Sequence, residues 1–159
     1  MKNKFLPSGI YSGLIAGAVF MILEMLMVKI FLNGSPWGPP RMIAAIGMGK
    51  SVLPPPPTFD FKIVMIAMVI HFFLAIVFAL IIGFIVSKMK LGNALVVGVI
   101  AGLLLYFINF YGLTVIFPWF AKARSWVTIF SHIAFGLVAA WTFVSFYRPD
   151  SYSPSNVIN

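Results

Sequence analysis

"KIVMIAMVIHFFLAIVFALIIGFIV", Lys62–Val86, sets the fold class. After Lys62 no residue in this stretch is charged, and His71 is its one polar side chain. About 20 apolar residues cross the hydrocarbon core of a bilayer as a helix, and hydrocarbon tolerates little else. On either side, comparable runs lie at about 10–32, 92–117 and 125–147. The expected architecture is an all-α, integral membrane four-helix bundle. It forms a single transmembrane domain over 1–147, with a proline-rich capping loop at 33–61 and a polar tail at 148–159. Composition agrees: 62% of the 159 residues are hydrophobic and 9% are charged. Soluble domains run near half apolar and a quarter charged, so a water-soluble fold is excluded.

The formal net charge is +8, from eleven Lys and Arg against three acids. These cations are scattered at the ends of the apolar runs, as anchors facing lipid headgroups are. No clustered basic face or stacking platform appears, which argues against a nucleic-acid partner. Lys2, Lys4, Lys88, Lys90 and Arg148 fall on the side of the termini; Lys29, Arg41, Lys50, Lys62, Lys122 and Arg124 fall on the other. So even a split does not fix the orientation by the positive-inside rule, but Lys2 and Lys4 adjoin the first span and favour cytoplasmic termini. "MKNK" before a long apolar run resembles a secretory signal. The run is too long and lacks a small-x-small cleavage site, so it reads as a retained helix. With no cysteine, dithiol chemistry, disulfides and thiolate metal sites are excluded.

The connection between the first two spans, "GSPWGPPRMIAAIGMGKSVLPPPPTFD" (Gly34–Asp60), holds seven of the eleven prolines. Pro39 and Pro40 suit a helix start and "RMIAAIGMGK" supplies two or three turns. Pro54–Pro57 enforce an extended exit, and Asp60 is placed to cap the second span. The expected form is a short helix at the membrane interface, or a shallow re-entrant segment packed on protein.

"GLIAGAVFMILE" from Gly13 is echoed by "GVIAGLLLYFIN" from Gly98. Gly13 and Gly17 match Gly98 and Gly102, and Glu24 and Asn109 occupy the same offset. The second and fourth spans then each carry one His, His71 and His132, followed four residues on by Ala75 and Gly136. This pattern suggests two duplicated helical hairpins related by a pseudo-twofold along the membrane normal.

Glu24 lies eight residues before Leu32, His71 nine after Lys62, Asn109 nine before Pro118 and His132 seven after Ser125. At 1.5 Å per residue, all four sit roughly 10–14 Å below the cap-side surface. Each also shares a stripe with small residues, which are favoured where membrane helices pack closely. One Glu and two His are all the chain has, and all are expected in this layer. An ionisable residue in hydrocarbon costs at least ~2.5 kcal/mol and is by default a functional-site hypothesis.

Several chemistries fit four such residues. A structural network would have Glu24 hydrogen-bonding both imidazoles, with Asn109 completing it. Glu24, His71 and His132, with Asn109 or water, would suit a divalent metal such as Zn²⁺ or Fe²⁺, and nearby Met21, Met25, Met65 and Met68 would admit copper. His71 and His132 as axial ligands would suit haem b, with Ala75 and Gly136 making room and Arg41, Lys50 or Arg124 meeting the propionates. Glu24 with the His pair would also suit a proton- or cation-exchanging site. Trp37, Trp119 and Trp126 read as an aromatic belt at the cap-side interface. Trp37 as a stacking surface and Arg41 as a bridge to Glu24 are lesser readings. No nucleophile elbow, P-loop or HExxH helix occurs, so an enzyme is not expected.

The segments "ILEML" (Ile22–Leu26), the cap itself and "AMVIH" (Ala67–His71) resemble a family of small, functionally uncharacterised bacterial four-helix inner-membrane proteins. The resemblance implies a bacterial source and an inner-membrane location, and no chemistry. The functional expectation is a small membrane protein binding a proton or cation at the Glu24/His71/Asn109/His132 layer, as a transporter or accessory subunit. Its partners would be the lipid bilayer and a homo-oligomer or larger complex. The alternatives are a structural or assembly subunit, or a haem- or metal-binding protein.

Overall fold

A computed structural model of the chain describes residues 4–147; Lys2, Arg148 and the expected polar tail lie outside them. Among the described residues there is no strand. Four helices are long and apolar enough to cross a membrane, so the chain is a multi-pass, all-α membrane protein. They are α1 (Phe5–Phe31), α3 (Phe61–Val86), the Leu91–Val115 span that begins as α4 (Leu91–Phe107), and α5 (Trp126–Tyr147). The cap contributes α2 (Gly38–Met48).

Boundaries differ from expectation where proline chemistry decides. α1 starts at Phe5 rather than near residue 10. Pro7 falls in its first turn, where a missing N–H costs nothing. α2 begins with Gly38, Pro39 and Pro40, as expected. The Asp60 carboxyl accepts a hydrogen bond from the Ile63 N–H at 3.0 Å and caps α3. The third span changes pitch before it ends. After Phe107 it widens into a π turn (Ile108–Gly112) and then tightens into a 3₁₀ turn (Leu113–Val115). Pro118 opens a further 3₁₀ segment, Pro118–Ala123, and displaces Phe117 from helical dihedrals.

α5 is the central helix. Its apolar window is 56% buried, against 22–33% for the other spans, although its mean hydropathy is the lowest. It tolerates polarity because Thr128, Ser131, His132 and Thr142 all face protein. α5 packs on α4, α1 and α3, while α3 and α4 touch sparsely although a short turn joins them. Large apolar side chains such as Ile22, Val69, Phe84 and Ile100 remain on the outer faces, where lipid is the solvent.

Glycines set the closest approaches. A Cβ on Gly13 would lie 2.5 Å from the Ile76 Cα, and one on Gly17 2.9 Å from the Ala75 Cβ. On the other pair, a Cβ on Gly98 would lie 2.5 Å from the Gly136 carbonyl, and one on Gly102 2.9 Å from the His132 carbonyl carbon. Thus Gly13/Gly17 of α1 face the Ala75 turn of α3, and Gly98/Gly102 of α4 face the His132/Gly136 turn of α5. In both cases a glycine pair of one span meets the next span in sequence, but α1 packs closely on α5 while α3 and α4 touch sparsely, so the four helices do not follow a pseudo-twofold.

Candidate functional site

The two histidines of the expected layer are seated by these contacts. Because Gly17 has no side chain, α3 comes near enough for His71 Nε2 to reach the Gly17 carbonyl at 2.9 Å. A carbonyl only accepts, so this nitrogen carries the hydrogen, and in the neutral ring Nδ1 keeps a lone pair. His132 has the opposite arrangement. Its Nδ1–H donates to the Thr128 carbonyl of its own helix at 2.8 Å, and Nε2 accepts from the Asn109 side-chain amide at 3.1 Å. Asn109 lies in the π turn, an irregularity frequent at functional sites.

Glu24, 5% exposed, points to α5. Its Oε1 lies 3.2 Å from the Thr128 hydroxyl. That hydroxyl also donates to the Ala123 carbonyl at 2.7 Å and lies 3.0 Å from the Ser125 hydroxyl. Ser131 adjoins the Glu24 carboxyl but gives its hydrogen to the Val127 carbonyl. Oε2 of Glu24 is buried without a hydrogen-bond partner among the described residues. The expected bonds from Glu24 to both imidazoles are therefore absent from this arrangement. The reason is Phe20, one turn earlier on α1. Its ring stacks on His71 at 5.5 Å and meets His132 edge-on at 4.8 Å, so it fills the space beside both rings.

Glu24, His71, Asn109 and His132 nevertheless come together, on the wall of one cavity of about 400 Å³. Below the polar layer its floor is Phe20, Leu74, Phe78, Leu105 and Phe135. Above it the roof is one face of α2: Gly38, Pro39, Met42, Ile43 and Ile46, at helical spacing. Among the described lining residues Glu24 is the only acid, and Lys122, at the rim, is the only Lys or Arg.

The roof is fastened at several points. Ala44 and Ala45 of α2 are buried against Ile63 and Ala67 of α3. The Trp119 Nε1–H donates to the Met42 carbonyl at 3.0 Å, so the 3₁₀ segment after the third span grips the cap. Arg41 ties the loop to itself, donating to the Thr58 carbonyl at 2.9 Å and to the Val52 carbonyl at 2.8 Å. It does not reach Glu24. Trp37 packs on Phe59 with ring centroids 4.9 Å apart, and neither Trp37 nor Arg41 lines the cavity. Both brace the cap.

Two participants, Thr128 and Phe20, were not singled out from the sequence, and Trp119, read there as part of an aromatic belt, also bonds to the cap. Thr128 carried a signal, since it lies four residues before His132 on the stripe that continues to Gly136 and Ala140. Phe20 carried none, because an aromatic residue in a membrane helix is ordinary.

The cofactor readings meet this geometry directly. Among the described residues, no group of three or more His, Cys, Asp and Glu is disposed to hold a metal ion. Glu24, His71 and His132 do not form the expected ligand set. Bis-His haem ligation does not fit either. The Nε2 atoms that iron would need are committed to Gly17 and Asn109, and Phe20 packs against both rings. Arg124 is likewise engaged, donating to the Phe110 carbonyl at 2.7 Å with its guanidinium 4.1 Å above the Tyr111 ring.

No protein-family model matches the chain, and neither does any curated protein or solved structure.

Proposed function

We propose that this protein binds a proton or a cation at Glu24, in a chamber within the membrane that α2 closes. The observation that carries this reading is the state of the Glu24 carboxyl, a buried group with one oxygen unpartnered. The Thr128 hydroxyl has a single hydrogen, and its shorter contact is to the Ala123 carbonyl. If that bond takes the hydrogen, the contact to Glu24 needs a proton on the carboxyl. Glu24 is thus placed to hold a proton and to yield it when a cation arrives. The host membrane is the bacterial inner membrane, with the termini in the cytoplasm. The role is that of a transporter or of an ion-binding accessory subunit.

The imidazoles do a different job in this reading. His71 ties α3 to α1 and His132 ties α5 to the π turn of the third span, so they set helix register. This division supports the competing reading, a structural or assembly subunit, only if Glu24 proves inert. The deciding experiment is labelling of the purified protein in nanodiscs with dicyclohexylcarbodiimide, which modifies protonated carboxyls in apolar surroundings. Mass spectrometry is expected to place the adduct on Glu24, with labelling suppressed at alkaline pH. A folded protein that takes no label at Glu24 overturns the proposal.

A further inference from the structure

Three features of the chamber bear on what it would hold. The first is its size and lining. At about 400 Å³, walled mainly by side chains such as Phe20, Leu74, Phe78 and Phe135, it is far larger than a bare ion. A sodium or potassium ion exchanges its water for a shell of oxygens. The wall offers one carboxyl and few other oxygen atoms at the layer. An occupant must therefore bring apolar surface with it.

The second is the unused hydrogen-bonding capacity. Glu24 Oε2 has no partner, and His71, whose Nε2–H is spent on Gly17, keeps an acceptor at Nδ1. Asn109 retains its carbonyl oxygen after its amide serves His132. The spare sites are mostly acceptors, so the complementary polar group is a donor. Phe20 and Phe110 add aromatic rings to the lining.

The third is the seam. α3 and α4 touch sparsely, and the cavity takes lining from both, Leu74 and Phe78 on one side and Leu105 on the other, with Asn109 in the π turn that follows α4. Above the layer the cap is fastened on α3 and on Trp119.

The geometry points to a lipophilic ammonium, an amine cation bearing an apolar body, as the occupant. It sets its N–H donors on Glu24 and His71 Nδ1, and lays its apolar part on the floor. This rests on the proton or cation reading of Glu24 and narrows it. The exchange balances: the protonated carboxyl and the ammonium give a carboxylate–ammonium pair, and one proton leaves to solvent for each ammonium bound.

The test uses octylammonium, methylammonium, sodium and neutral octanol as probes of the full chain in nanodiscs, by calorimetric titration with empty nanodiscs subtracted. Octylammonium is expected to bind at least tenfold tighter than octanol and to release protons into a weakly buffered solution. Glu24→Gln should reduce octylammonium to the octanol level and leave octanol binding unchanged, which shows that the chamber is intact. Leu74→Trp, which keeps the carboxyl and shrinks the floor, should weaken octylammonium more than methylammonium. Equal binding of octylammonium and octanol to the natural chain, or a Glu24→Gln variant with undiminished octylammonium binding, overturns the inference. If sodium protects Glu24 from carbodiimide and octylammonium does not, the inference falls and the cation reading stands. If Glu24 takes no carbodiimide at all, both fall.

Discussion

Gly136→Ala is the substitution that bears most directly on the packing beneath the site. A Cβ there would lie 2.7 Å from the Gly102 nitrogen and 2.9 Å from the Gly102 Cα, against ordinary carbon contacts of about 3.5–4.0 Å. The obstructing atoms are backbone, so no side chain can rotate away. α4 and α5 must part by about 1 Å at this level. One turn earlier on α5, the Asn109–His132 hydrogen bond spans 3.1 Å; a displacement of that size carries it past the ~3.5 Å at which such a bond ceases to count. Overpacking costs about 1–3 kcal/mol and the lost hydrogen bond about 0.5–1.5 kcal/mol. Alanine's better helix propensity returns about 1 kcal/mol, leaving a net loss of about 0.5–3.5 kcal/mol. Gly92→Ala is the control, because nothing lies within 4 Å of a Cβ built there. Thermal unfolding followed by circular dichroism in detergent should show Gly136→Ala well below Gly92→Ala. The ¹⁵N resonance of His132 Nε2 should move toward that of a nitrogen without a donor. A Gly136→Ala protein as stable as Gly92→Ala, with an unmoved imidazole signal, would contradict both the backbone contact and the account of how His132 is held.

Two other expectations follow from single contacts. Asn109→Ala removes the donor to His132 Nε2 and should cost about 1–3 kcal/mol, the range for stranding a buried polar partner; unfolding measured as above checks it, and no change would mean the bond is not formed. Trp119→Phe deletes the N–H bonded to the Met42 carbonyl while keeping the aromatic contacts. Hydrogen exchange read by mass spectrometry should quicken in Gly38–Met48 and stay unchanged in α1 and α3; uniform or unaltered exchange would show that the cap is held by other means.

The fold was largely legible because the solvent is hydrocarbon. A backbone in lipid must satisfy its own hydrogen bonds, so the apolar runs alone imply four crossing helices. The small-residue stripes also carried packing information: Gly13, Gly17, Gly98, Gly102 and Gly136 all lie at close approaches. The residues of the layer were legible for the complementary reason, since a Glu or His in such a run is costly in hydrocarbon and turns toward protein; all four line the cavity. Boundaries were less so. The early start of α1 and the π turn at Ile108–Gly112 depend on local backbone choices that hydropathy does not register.

Residue order alone settles the class of molecule, the four polar residues on its helices, and a proline-stiffened segment long enough to lie over one end. Which group bonds to which is settled by packing in three dimensions. Spacing along a helix sets depth and facing to within a turn, about 5 Å, whereas a hydrogen bond is won or lost within a few tenths of an ångström. At that scale Phe20 stands beside both imidazoles, Thr128 takes the place beside Glu24, and the cap becomes the roof of a chamber. Side-chain shape, not sequence interval, made those choices.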